Sequence, residues 1–531
     1  MTSVAVPHLP RISDYVTWHA QRQPHAAAAT LGATELSYAQ LAARVDALAR
    51  ALLAAGLRKG DRVATLATPH PDYYAAFLAT ASVGGIWLGL NPRYQLAELA
   101  RTVADAEPAV LLTRTQIGAR SYDAEVRALR GGSTALRRVV VLGDDPPVIG
   151  AESMKSFVAA GEPVADGELR AARAACGGRD PCLIVYTSGS SGTPKGALLH
   201  HDGIVASSRL QDEIWPVDPL RVVNYFPINH VGCVVDCSTP CLVAGGTLHF
   251  LEQFEPRACL ELMARRRVTL WGSVPSAFQL QLELDDFESF DLSAVQLIAW
   301  GGAAMPAPLI RRLRLICPRL ATNYGMTETT GAITTVDPTD QIDVLAETVG
   351  RAVPGVEIRL GDDRGEPVEP GVPGEVQVRS RGNLLGYWRR PEATAAAFTP
   401  DGSFRTGDLA VQRKDGRYRL VGRLSDMYKS GGYNVYPREI EGVLEAHPAV
   451  ALAAVVPVAD RLWQEVGVAY VLARHTVTAD ELAAHCRAQL AAYKVPKRIV
   501  ITAELPLLPI GKVDKRALRA RAAEADGADA G

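Results

Sequence analysis

The sequence predicts an α/β protein: a large N-terminal domain of parallel βαβ-type sheets with a small β-rich subdomain, followed by a small α+β C-terminal domain. Three observations support this. Helical and strand-like patterns alternate over the first 170 residues. Past residue 345 short β-type runs separated by Gly/Pro turns replace them. From about residue 427 a compact helix–strand–helix pattern begins.

In chain order, Leu41, Val45, Leu48 and Leu52 recur on one helical face, and Gly56 follows as a stop signal. RVATLAT at 62–68 has the character of a buried strand and YYAAFLATASVGG at 73–85 that of a helix, the pairing expected of βαβ units. LIVY at 183–186 is a further apolar strand, running into a Gly/Ser/Thr cluster. VEIRL (356–360) and GEVQVRS (374–380) mark the β-rich subdomain, about 345–422. The C-terminal segment contains the helix-like REIEGVLEAH, the strand-like VALAAVVPV and the helix-like ADELAAHCRAQLAAY; its end, RAAEADGADAG, is expected to fray. A length of 531 residues suggests about three or four folding units.

Composition narrows the function classes. A formal charge of −2 gives no basic footprint for nucleic acid and no polybasic membrane anchor. No apolar run approaches the ~20 residues that span a bilayer, and the N-terminus lacks the pattern of a secretory signal. A cytoplasmic enzyme is the expectation. Eight cysteines in so long a chain make no disulfide framework. Cys233, Cys237 and Cys241 are spaced for one helix face but lack a CxxC pair or His partners, so they are expected to be small buried hydrophobes.

The strongest local signal is YTSGSSGTPKG, Tyr186 to Gly196. After a buried strand, Thr187, Ser188, Gly189, Ser190, Ser191, Gly192 and Thr193 offer backbone N–H groups and hydroxyls to an anion, and Lys195 adds a positive charge. Pro194 before Lys195 and Gly196 after it break the Walker A spacing, so a P-loop NTPase is disfavoured.

This loop resembles the phosphate loop of the acyl-adenylate-forming superfamily, which includes acyl- and aryl-CoA ligases, adenylation domains of peptide synthetases and luciferases. FPINH (226–230), GGAAMP (301–306), NYGMTETTG (323–331), FRTGDLA (404–410), GRLSDMYKSGGYNVYPREIE (422–441) and PIGKVDK (509–515) follow in the family's order, so the likeness spans nearly the whole chain. It implies an AMP-binding domain over 1–422, a hinge over 423–426 and a mobile C-terminal domain over 427–531 that carries the catalytic lysine, Lys512.

The implied substrates and cofactors are ATP, Mg²⁺ and coenzyme A. Glu328 is the implied Mg²⁺ ligand, a hard oxygen donor, with Thr327 on a phosphate. Tyr324 and Asn323 would meet the adenine, and Gly302 the base from the other side. Asp408 would bind the ribose hydroxyls, with Arg423 on the ribose or a phosphate. Gly431 and Gly432 would let a pantetheine arm pass, and Trp463 is a candidate stacking partner for the CoA adenine or else a core tryptophan. At the hinge the family's usual Asp or Lys falls on Ser425 or Asp426.

The same resemblance places His230 at the mouth of the acyl pocket, with Val231, Gly302, Gly325, Thr330 and Gly331 around the acid. Glycines at several of these positions suggest room for an aromatic or medium-to-long acid. Asp236, six residues after His230, faces either the pocket or the outside of its helix. The acceptor expected is coenzyme A, the alternatives being a carrier protein or another nucleophile, as in the diazotising relatives that act on amino-aryl acids. Oligomeric state is not legible.

Overall fold

The computed structural model describes residues 6–143, 145, 148–188, 194–362, 364–430, 433–508 and 512–529. Two large sheets form its body. The first runs, in spatial order, through strands 351–352, 331–335, 320–326, 297–300, 270–273, 221–224, 247–250, 27–31 and 34–37; the six from 320–326 to 27–31 are parallel. The second runs through 386–387, 194–200, 181–188, 86–90, 62–66, 110–113, 138–141 and 152–153, parallel from 181–188 onward.

The helix Pro71–Ser82 explains how the two sheets become one body. It is apolar on every side, and each of its residues except Asp72 is buried, the behaviour of a helix with no solvent face. The Tyr73 ring packs 5.7 Å from Phe250 of the first sheet and 5.9 Å from Trp87 of the second. Its hydroxyl bonds the Ser238 hydroxyl at 2.7 Å, so a buried phenol is satisfied where the sheets meet.

The run 231–244 is not one regular helix. Val231–Cys233 is α-helical, Val234–Ser238 a π-turn, and Thr239–Ala244 α-helical again. Cys233, Cys237 and Cys241 are all buried, and every cysteine is free. Their expected i, i+4, i+8 face is thus interrupted by the wider turn.

Strands 356–361, 374–380, 404–412 and 418–423 make an antiparallel sheet around Leu360, Val376, Val378 and Ala410. The C-terminal segment has its own sheet, built on the long hairpin Val450–Asp460 and Gln464–Ala473, and its own cores on the two faces. No helix among the described residues is long and apolar enough to cross a membrane.

The terminal stretch differs from its expectation as a frayed tail. Residues Lys515–Asp529 form a helix, in which Leu518 and Ala522 are fully buried against Val456 and Val468. The Ala, Arg and Glu content that looks like a solvated tail is equally that of a strong helix former. Leu518→Ala should destabilise the C-terminal unit by about 2–5 kcal/mol, which urea unfolding followed by limited proteolysis would detect as early loss of this unit.

Candidate active site

The site residues gather beyond the carboxyl ends of the parallel strands of both sheets, where ligands of open α/β folds bind. Thr187 closes strand Pro181–Ser188, and Glu328 lies in the 3₁₀ turn Thr327–Thr329 directly after strand Leu320–Met326. The Thr187 hydroxyl and the Tyr387 hydroxyl both donate to Glu328 Oε1 at 3.1 Å. Glu328 Oε2 receives no hydrogen bond from the described residues, although the side chain is only 6% exposed. Lys195 Nζ stands 5.2 Å from the centre of the Tyr387 ring. A hard oxygen thus points into the site beside a cation and hydroxyls. This fits Mg²⁺, which takes one or two carboxylates and fills its shell with water and phosphate oxygens. No cluster of three or more His, Cys, Asp or Glu side chains able to cage an ion exists among the described residues.

A second cluster forms around Asp408. Its Oδ2 accepts from the Tyr324 hydroxyl at 2.7 Å, its Oδ1 faces Arg423 Nε at 2.6 Å, and it is 5% exposed. Asp408 and Arg423 are direct cross-strand partners, so the register of the β-rich sheet sets this pairing. Tyr324 is itself buried in the core of that sheet. Asn323 lies over Gly301, where an added Cβ would come 2.5 Å from Asn323 Oδ1.

Lys512 reaches this cluster from the C-terminal segment. Its Cε lies 3.2 Å from the position a Cβ would take on Gly302, which has φ +81°. Burial and the Arg423 guanidinium push the Lys512 pKa down, while Asp408 holds it up. Gly302 is therefore the place where the lysine stem approaches bare backbone, and any side chain there would meet it.

His230 caps the short helix that follows it: its Nδ1 accepts the Gly232 N–H at 3.0 Å. Burial, and then the charge of Lys512, lower its pKa to about 4. The ring is neutral at pH 7, and because Nδ1 is an acceptor its proton sits on Nε2. His230 thus presents an N–H donor to the neighbourhood of Lys512.

The pocket glycines require a correction: they do not simply leave room. A Cβ on Gly325 would collide with the Gly331 carbonyl, so this glycine serves the close approach of two strands. A Cβ on Gly331 would lie 2.6 Å from Ser207 Oγ and 3.1 Å from Asp236 Oδ1. Thr330 is fully buried with its hydroxyl given to the Gly382 carbonyl, so it is not free to face a ligand. Asp236 turns toward Gly331, which decides its orientation.

Sequence and structural relatives identify the whole. Residues 16–388 match the model of the AMP-binding enzyme family, and 439–512 that of the AMP-binding enzyme C-terminal domain. The chain belongs to the AMP-binding enzyme family. It is similar to a feruloyl-CoA synthase of Amycolatopsis sp, 36% identical over 519 residues, with 94% of this chain and 97% of that protein covered. An indoleacetate–CoA ligase of Aromatoleum aromaticum is 34% identical over 511 residues, with 96% and 97% covered. Among solved structures, ATP-bound MatB from Rhodopseudomonas palustris superposes with a TM-score of 0.83 at 31% identity, covering 96% of this chain and 98% of that one.

Within this AMP-binding enzyme the structure brings Thr187, Lys195, Glu328, Asn323, Tyr324, Asp408, Arg423, Gly302, His230 and Lys512 to one region. Thr327 is buried beside Glu328. Gly189, Ser190, Ser191, Gly192, Thr193, Gly431 and Gly432 lie outside the described residues, as does the side chain of Ser188. Trp463 is half-buried with Lys497 Nζ 5.0 Å over its ring, so it is not a core tryptophan. Tyr387 joins the site through its bond to Glu328, a contact that the sequence does not betray, because one tyrosine in LLGYW carries no spacing signal until its strand pairs with Pro194–His200.

The charge relation between His230 and Lys512 is measurable. By NMR, His230 should titrate near pH 4 with its proton on Nε2. Lys512→Ala should move that midpoint upward, because removing a neighbouring cation favours the imidazolium.

Proposed function

We propose that this AMP-binding enzyme is an AMP-forming acid–CoA ligase acting on an aromatic or medium-to-long carboxylic acid. The observation that carries the reading is Lys512, delivered by the C-terminal unit to Gly302, Arg423 and Asp408 and facing the region of His230. In the first half-reaction a carboxylate oxygen attacks the α-phosphorus of ATP, the bond to pyrophosphate breaks, and an acyl-adenylate forms. Such a transfer depends on positioning and on positive charge around the phosphates rather than on a covalent nucleophile. Lys512 supplies charge at the carboxylate and α-phosphate, and Lys195 supplies it in the phosphate loop. Asp408 accepts from the ribose hydroxyls. Glu328 would hold Mg²⁺, which neutralises charge developing on the phosphates. In the second half-reaction the CoA thiol, as thiolate, attacks the acyl carbon and AMP leaves.

Both half-reactions need the same cavity, so the C-terminal unit must turn between them. Arg423 is tied back to Asp408 of the β-rich sheet at 2.6 Å, whereas Asp426 is tied forward to Arg519 of the last helix at 3.3 Å. The bonds between them, around the exposed Ser425, are the favoured pivot. Gly431 and Gly432 are assigned to the thiol route on their sequence alone. The relatives named for feruloyl and indoleacetate substrates support an aromatic acid.

Lys512→Ala should slow adenylate formation by roughly 10²–10³-fold, while thioester formation from preformed adenylate stays near normal; rapid-quench assays of the two halves would separate them. Gly432→Leu should do the reverse. The overall test incubates the protein with ATP, Mg²⁺, coenzyme A and aliphatic, aromatic and amino-aromatic acids, reading AMP and acyl-CoA by mass spectrometry. Acyl-CoA with stoichiometric AMP is expected. AMP and adenylate without acyl-CoA would transfer the acceptor role to a carrier protein or another nucleophile.

A further inference from the structure

Resting on the ligase reading, a finer assignment comes from the segment that follows His230. The run after His230 is α-helical for one turn and then widens into the π-turn Val234–Ser238, with Asp236 at its centre. Such turns recur at functional sites because the extra residue redirects a side chain. The neighbours of Asp236 are committed to the interior: Cys233, Val234, Val235, Cys237 and Ser238 are buried, and the Asn224 amide binds the Cys233 carbonyl and the Ser238 hydroxyl. Asp236 alone turns the other way, its Oδ1 3.1 Å and Ser207 Oγ 2.6 Å from where a Cβ on Gly331 would lie. Neither the Asp236 carboxylate nor the Ser207 hydroxyl has a hydrogen-bond or ion-pair partner among the described residues. The Gln211 side chain binds the Asp236 backbone carbonyl at 3.2 Å and not its carboxylate. A small cavity lined by Ser207, Gln211, Asn323 and Ala332 adjoins the spot.

We propose that Asp236, with Ser207, is the specificity determinant of the acyl pocket and accepts a hydrogen bond from an N–H or O–H group at the end of the acid remote from its carboxyl. With the carboxyl near His230 and Lys512, a ring amino or hydroxyl group at the far end of an aryl acid is the donor that would meet Asp236. Enclosure without a facing counter-charge raises the Asp236 carboxyl to about 6, and a donor on the substrate supplies the missing partner. Glycine at 331 fits the same design, since any side chain there would fill the space between the two polar groups.

The test compares kcat/KM for a set of aryl acids identical except for a ring amino, hydroxyl, methyl or hydrogen substituent, with the wild type, Asp236→Asn and Asp236→Ala. The wild type should prefer the amino or hydroxyl acid over the methyl acid by ~100-fold or more, as a site built around a polar partner rejects the analogue that lacks it. Asp236→Ala should bring that ratio to within a few-fold. Asp236→Asn, which keeps an acceptor oxygen, should restore part of the preference. The ratio of amino to hydroxyl acid identifies the natural donor. Equal use of all four acids by the wild type, or an unchanged ratio in Asp236→Ala, overturns the assignment while AMP release still upholds the ligase. Absence of AMP with every acid overturns the ligase reading itself, and with it this assignment.

Discussion

Two cations share one buried carboxylate, and the site is organised by that imbalance. Arg423 and Lys512 both depend on Asp408, which is also held by Tyr324. Like charges brought near one another repel, and although water screens part of this at Arg423, whose side chain is 53% exposed, an anion between the two cations would relieve it. Lys512 is lowered by both burial and Arg423, the state of a lysine waiting for negative charge. In the proposed reaction a triphosphate and a carboxylate would supply that charge. On the proposed mechanism the C-terminal unit also gains a reason to leave: once pyrophosphate has gone and the carboxylate has become the mixed anhydride of the acyl-adenylate, much of the anionic charge that would hold Lys512 has left with it.

His230 belongs to the same electrostatic unit. A protonated imidazole there would add a third cation, and burial together with Lys512 prevents it. Its Nδ1 is already occupied by Gly232, which fixes the tautomer and makes the ring a neutral donor. Capping a short helix and orienting a ring toward the neighbourhood of Lys512 are thus one interaction. Glu328 shows a related economy. Thr187 and Tyr387 hold one carboxylate oxygen from strands of the second sheet, while the glutamate follows a strand of the first. The packing of helix Pro71–Ser82 between the two sheets thus bears on where Thr187 and Glu328 meet.

Much of this was legible in the chain. The βαβ alternation, the β-rich insertion and the ordered motifs mark the fold and the region of Lys195, Glu328, Asp408 and Lys512, because Gly/Ser loops, lone carboxylates and cross-strand pairs leave local signals. What escaped depends on three-dimensional neighbours. The final helix looks polar along the chain, and only Leu518 and Ala522 meeting the hairpin reveal its docking face. Tyr387 acquires its role by pairing beside a strand nearly two hundred positions away. Gly325 and Gly331 look alike as small residues, yet one makes way for backbone and the other for Ser207 and Asp236. Glycine in a pocket motif therefore indicates close approach before it indicates volume.

Asp236 shows what such a site costs. Its carboxyl titrates at about 6 instead of near 3.8. At about 1.36 kcal/mol for each tenfold change in proton affinity, ionising it in the folded chain is worse by about 3 kcal/mol. Because the folded-state pKa lies above the unfolded one, the protein carries no penalty below about pH 4. It loses stability as pH rises from there through about 6, and bears the full cost at neutral pH. Asparagine or a small apolar residue would remove that cost without disturbing the buried cysteine side of the turn. A carboxylate on a π-turn, opposite a glycine and a serine hydroxyl and with no partner among the described residues, has the pattern of the proposed site, whose partner arrives from outside, since stability alone would favour its removal.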